Sequence, residues 1–271
     1  MKVNSKGDKV TKLTIDSDPD LRRGTVQDFA LSPDGTAYEL VQVGDDVYIA
    51  SFSTHGSYGS KTKLERQFWG THLAASTGSA SFLVAGSELP VKDGPPPKLV
   101  TALFATGGRL IRELRLPSDP AEIKERDAGK KKVENYLSDK SILPLILGDV
   151  ETDRDGNMYV LRASTPPVVF VIDGAGELVR TFKIEPPGPD MKLGVMHIRA
   201  GRLAVLFQAT DTQGQMETRK IVLIDAASGT KISEYVVTDE LGAAFACYTG
   251  DTFGFVTTKA GKLAIQHARP E

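Results

Sequence analysis

The sequence predicts an all-β fold in which one four-stranded antiparallel sheet is repeated five times around a closed ring. Three observations carry this prediction: paired hairpin turns that recur along the chain, β-type runs between them that are apolar on both faces, and two chain ends that complete each other's sheet. The unit is plainest over residues 149–184, DVETDRDGNMYVLRASTPPVVFVIDGAGELVRTFKI. Four β-type runs there (149–152, 157–161, 168–172 and 178–184) are joined in pairs by Asp-Arg-Asp-Gly-Asn and Asp-Gly-Ala-Gly. Gly and Asn accept positive φ at little steric cost, which suits both joints to tight antiparallel turns.

Taken in chain order, the second hairpin of each unit is marked by a turn glycine and, eight residues later, an aliphatic residue at the end of the outer strand. The pairs are Gly7 and Ile15, Gly56 and Leu64, Gly108 and Leu116, Gly176 and Ile184, and Gly229 and Val237. The first hairpin is marked by Gly35, Gly78, Gly156, Gly201 and Gly250, each succeeded by a strand-like run, at 36–41, 81–85, 157–161, 203–207 and 252–257. Third strands are expected at 47–52, 99–104, 168–172 and 221–224; the last two are nearly continuous in Val, Ile and Leu, as burial on both faces requires.

Successive second-hairpin glycines lie 49, 52, 68 and 53 residues apart, and 49 residues separate Gly229 from Gly7 when the two ends are joined. The runs 245–248, 252–257 and 262–267 have no fourth strand after them, while 10–15 reads as an outer strand without a sheet. Pairing these segments closes the last sheet with the N-terminal outer strand and removes two free edges. The expected architecture is a β-propeller of five four-stranded antiparallel blades in a single domain over 1–271, with six blades as the alternative. The excess in the 68-residue interval is too short for another blade. It falls at about 118–141, where Asp119, Pro120 and Glu122 form a helix-start signal and Gly129 weakens the helix interior, so a helical or irregular insertion is expected. The loops 86–98 and 209–220 join second to third strands and should project from the same face as that insertion.

Composition narrows the function classes. With 33 basic and 35 acidic residues well mixed and a formal net charge of −2, no electrostatic footprint for nucleic acid or an anionic membrane is present. No run of 18 apolar residues occurs, so no membrane insertion by this chain is expected. Cys247 is the only cysteine, which rules out an intrachain disulfide and leaves the compartment open. The expectation is a soluble monomer, with export after removal of an upstream leader kept in view because 3–15 begins in mid-repeat.

Two stretches, Ser32-Pro33-Asp34-Gly35-Thr36-Ala37-Tyr38 and Asp153-Arg154-Asp155-Gly156-Asn157-Met158-Tyr159, resemble the turn signature of NHL-type and gluconolactonase-like β-propeller repeats. That superfamily includes lactonases, lyases and interaction modules, so the resemblance implies architecture and leaves function open. Gluconolactonase-like enzymes hold a divalent cation at the channel through an acidic and amide set, for which this chain has no matching run. The alternating oxygens of Asp153, Asp155 and Asn157 would suit a hard cation, but further acidic ligands are missing, and the stretch reads as a structural turn with Asp155 bonded to its own backbone. No cofactor is expected.

Chemistry in such a ring belongs at the channel mouth, on the innermost strands. Counting back seven from the first-hairpin glycines places Asp28 and Asp149 at equivalent positions, with Thr71, Gly194 and Ala243 in the other blades; His72 and His197 lie nearby on their own inner strands. Two carboxylates and two imidazoles facing one channel could bind a divalent cation or another ligand, or supply an acid and a base. They could equally satisfy backbone amides where strands meet the ring. Five-bladed glycosidases use acidic residues on inner strands, but a third carboxylate is missing from 195–199 and Trp69 is the only tryptophan for a sugar platform. No Gly-x-Ser-x-Gly elbow or phosphate loop is present, and Cys247 reads as a small core residue. The leading expectation is a non-catalytic binding module presenting its long-loop face to a protein or small-molecule ligand. The alternatives are a lactonase-like or glycosidase-like hydrolase using Asp28, Asp149, His72 and His197, and the sensor portion of an anchored protein.

Overall fold

In a computed structural model the described residues are 2–3, 9–11, 13–32, 34–76, 81–92, 94–95, 97–114, 116, 147–164, 166–210, 216–242, 244–259 and 262–269. A short hairpin, β1 (Lys2–Val3) and β2 (Lys9–Thr11), precedes the first blade. Blade one comprises β3 (Thr25–Leu31), β4 (Ala37–Val43), β5 (Asp46–Phe52) and β6 (Tyr58–Lys63). Blade two comprises β7 (Trp69–Ser76), β8 (Ser81–Ser87), β9 (Leu99–Ala105) and β10 (Leu110–Glu113). Blade three comprises β11 (Leu147–Thr152), β12 (Met158–Arg162), β13 (Val168–Ile172) and β14 (Leu178–Lys183). Blade four comprises β15 (Lys192–Arg199), β16 (Arg202–Thr210), β17 (Met216–Asp225) and β18 (Lys231–Val236), and blade five β19 (Ala244–Tyr248), β20 (Phe253–Lys259) and β21 (Lys262–Ala268). Strands pair in chain order within every blade, all antiparallel, and the whole is a five-bladed β-propeller.

Burial is concentrated in the two middle strands of the sheets. Every residue of β12 and β13 is buried, whereas β14 and β18 are mostly exposed or half-buried. The middle strands are therefore the ones that need continuous apolar sequence. Neighbouring blades share a core: Phe68, Phe82 and Phe104 with Leu40 and Ile49 join blades one and two, and Leu103 with Val160 and Phe170 joins two and three. Leu161, Met196, Phe207 and Val222 join three and four, and Leu206 and Leu223 with Phe245 and Phe255 join four and five. Each fully buried side chain of this size contributes about 1.5–3 kcal/mol of transfer free energy. The aliphatic landmarks play the part their spacing suggested: Leu64, Ile184 and Val237 are buried, and their amides donate to Val47, Pro167 and Arg219 carbonyls.

The leader departs from the sequence expectation in what it pairs with. Among the described residues β21 has no fourth strand beside it, and Lys9–Thr11 pairs with Lys2–Val3 instead. The physical reason is burial. Ile15 and Leu21 cover Ala37, Val41, Ala50 and Phe52 on the face of blade one that looks toward blade five. Asp18 then ties this leader to β6, accepting from the Lys61 ammonium at 2.7 Å and the Tyr58 hydroxyl at 2.7 Å. No core cluster among the described residues joins blade five to blade one, and no strand pair between them packs extensively.

The stretch 209–220, expected as a loop, is largely a continuation of β16 and β17, with Ala209 opposite Thr218 and Thr210 opposite Met216. The 88–98 loop is closed at its base by the Glu88 amide on the Lys98 carbonyl. The expected insertion at 118–141 lies outside the described residues. No helix among the described residues is long and apolar enough to cross a membrane.

Candidate functional site at the channel

All five inner strands carry a register shift, at Val26/Asp28, Gly70/His72, Leu147/Asp149 and Leu193/Met196 at about one level in blades one to four, and about two residues later, at Phe245/Cys247, in blade five. Each bulge breaks the ladder and re-aims the side chains beyond it. Three residues before the last pair of the first hairpin stand Asp28, Leu73, Asp149, Met196 and Phe245. These, rather than Thr71, Gly194 and Ala243, are the structural equivalents of the two aspartates. Counting from the turn glycine slips by two residues in blades two, four and five, because Gly78, Gly201 and Gly250 come sooner after the ends of their inner strands than Gly35 and Gly156 do. In blade four the turn is only Ala200 and Gly201, both with positive φ.

This register explains the aspartates. Asp28 Oδ2 accepts the Leu73 amide at 2.8 Å, and Asp149 Oδ2 accepts the Met196 amide at 2.8 Å. Each aspartate thus binds the equivalent residue of the next blade, lacing blade one to two and three to four. Asp149 Oδ1 also takes the Val150 amide at 2.8 Å. Both carboxyls are nonetheless held well above the ordinary carboxylate range. Burial pushes Asp28 up to about 6, reinforced by the charge of Glu151 and opposed by amides. Burial likewise pushes Asp149 up to about 7, again with Glu151 adding to the shift and the Met196 amide opposing it.

Glu151 is the residue the sequence reading missed. It lies two positions after Asp149 on β11, on the same face of the strand, and its Oε1 meets His197 Nδ1 at 2.9 Å. Period-two spacing after Asp149 was the available signal. His197 Nε2 faces the Phe245 carbonyl at 3.5 Å. Burial disfavours the imidazolium, but the Glu151 hydrogen bond and the charges of Glu151 and Asp149 outweigh it, and the imidazole sits above its ordinary value.

His72 is not part of this arrangement. Its Nδ1 meets Thr71 Oγ1 at 2.9 Å, it does not line the cavity, and burial holds its imidazole below the ordinary value. Cys247, expected in the core, is exposed on the channel wall. In the 153–157 turn it is Asp153, not Asp155, that does the bonding. Its oxygens accept the Asp155 and Asn157 amides, the Asn157 side chain and the Tyr159 hydroxyl. Among the described residues no group of three or more His, Cys, Asp or Glu is placed to hold a metal ion.

A cavity of about 970 Å³ fills the channel, lined by inner strands of all five blades and by the first-hairpin turns at Gly35, Asp153–Asp155, Gly201 and Thr249. It therefore opens at the tight-turn end, opposite the long loops. Asp28, Asp149, Glu151 and His197 all line it. Chemically, the deep wall offers acceptors and an ion-paired imidazole.

The sequence matches no protein-family model and no curated protein. Among solved structures it is similar to Kuenenia stuttgartiensis hydrazine synthase, 14% identical with a TM-score of 0.50, over 91% of this chain and 66% of that one. It is also similar to TolB from Acinetobacter baumannii, 11% identical with a TM-score of 0.51, over 91% of this chain and 52% of that one. The chain thus spans between about half and two thirds of these structures, and at such identities the likeness is one of fold.

Proposed function

We propose that the protein is a monomeric, non-catalytic binding module that takes a small ligand in the tight-turn mouth of its central channel. The observation that carries this reading is the use to which Asp28 and Asp149 are put: their carboxyls receive backbone amides of the neighbouring blade, while the cavity they border stays open to all five blades. A carboxyl that laces two strands is poorly free to shuttle protons, whereas a preformed cavity of this size, lined by apolar and polar side chains together, is what small-ligand sites provide. The NHL-type turn signature at Ser32–Tyr38 agrees with a binding role among others.

The test is protein-observed NMR of the full chain against a chemically mixed small-molecule panel. Ligand-induced shifts gathered at 28–31, 149–151 and 197 are expected; shifts gathered at 88–98 alone would move the site to the long-loop face. A hydrolase remains the second reading because two carboxyls near neutral lie beside the Glu151–His197 pair, a combination suited to acid–base work. Turnover of a lactone or aryl glycoside that is lost in Asp149→Asn, with the fold intact, would replace the binding reading.

A further inference from the structure

The walls of the channel cavity differ in chemistry from one side to the other. On the side of blades three and four stand Asp149, Glu151 and His197, with Asp28 close enough for the Glu151 charge to act on it. On the side of blades one and five stand Phe29 and Leu31 of β3 and Ala246 and Cys247 of β19. Phe29 and Leu31 are 62% and 63% exposed, unusual for large apolar residues on an innermost strand, and no core cluster among the described residues joins these two blades. An open aromatic face thus looks into a cavity whose opposite wall is acidic.

The polar wall also has a sense. His197 directs Nδ1 to Glu151 and Nε2 to the Phe245 carbonyl, so neither ring nitrogen is left to donate into the cavity. Arg154 and Arg199 line only the rim and are exposed. The deep ionisable groups beside the imidazole are all carboxyls, Asp28, Asp149 and the half-open Glu151, whose side chain is 32% exposed, with the Thr152 hydroxyl near them. A guest that meets this wall must bring the positive charge.

Resting on the channel-binding reading, we infer that the site takes an amphipathic organic cation, an amine whose aromatic or branched apolar body lies against Phe29 and Leu31 while its ammonium group meets Glu151 and the neighbouring aspartates. The apolar contact supplies burial and the carboxylates supply direction.

Cys247, the only thiol and a neighbour of the apolar wall, gives a readout that needs no enzymatic activity. Its alkylation by N-ethylmaleimide is timed in the full chain with phenylpropylamine, phenylpropanol or phenylpropanoate present. The amine is expected to slow alkylation about tenfold more than the matched alcohol, and the acid not at all. Glu151→Gln should remove the difference between amine and alcohol, and Phe29→Ala should weaken both. Equal protection by the alcohol or the acid would overturn the cationic assignment while leaving the channel as a ligand site. Protection by none of the three, with no change in melting temperature, would overturn the assignment too; the channel reading is then judged on the mixed-panel NMR alone.

Discussion

Asp149 reaches across the gap between blades three and four to take the Met196 amide, and Asp28 repeats the contact to Leu73 between blades one and two. The two contacts are the same clasp built twice. Asp149→Ala strands two amides in a buried site and should cost about 2–4 kcal/mol. Asp149→Asn, which keeps the shape and one accepting oxygen, should cost about 1 kcal/mol or less. Urea denaturation of the two variants checks this; equal costs would show that the clasp is unimportant.

Stability should fall as pH rises from about 5 to 8. The folded chain holds protons on Asp28 and Asp149 up to about 6 and about 7, against an ordinary 3.8, so it binds more protons than the unfolded chain across this window. His197 acts in the same direction, since an imidazole raised in the fold loses its contribution as pH climbs through its folded value. Carboxylates held low by partners, such as Asp34 and Asp46, act only below the window. The melting temperature should be higher at pH 5.5 than at pH 8, and Asp149→Asn should narrow the gap.

His197 should titrate above its ordinary value of 6.5 in the native protein and below it in Glu151→Gln, because burial is then opposed by much less. The imidazole proton resonances of the four histidines, assigned by mutation, report this directly. An unchanged His197 titration in the variant would mean the pair does not form in solution.

Removing the leader clasp should loosen the covering of blade one. Asp18→Ala deletes acceptors for Lys61, Tyr58 and two amides and should cost about 1–3 kcal/mol. Limited proteolysis should then cut between Ile15 and Gly24 before it cuts any blade.

Gly86 faces Gly70 on the neighbouring strand, and a Cβ there would come within 1.9 Å of the Trp69 carbonyl oxygen. Gly86→Ala should therefore destabilise by at least about 3 kcal/mol, measurable as loss of soluble protein or of the urea midpoint.

Much of the ring was legible from turn glycines and apolar runs, because both arise from local chemistry: positive φ at Gly35, Gly56, Gly108, Gly156, Gly176 and Gly229, and two-face burial at β13 and β17. What escaped depends on how blades meet. Turn length altered the alignment of Asp149 with Met196, and only the ladder shows it. Glu151 was visible as a same-face neighbour of Asp149, but its partner His197 is 46 residues away on another blade. Phe29 and Leu31 look like core residues in sequence, and they stand open where the described residues place no core cluster between blades one and five. The leader's pairing with itself rests on a choice between two edges that local sequence does not encode.

The lack of a core cluster between blades one and five among the described residues also bears on how the molecule comes apart. A fully closed ring has no end, so no blade can leave without breaking two interfaces, but four packed interfaces in series behave as a linear array with a first and a last member. Blade five, whose core cluster among the described residues is shared with blade four, should exchange its amide hydrogens fastest of the five, and unfolding should run from there toward the chain's middle.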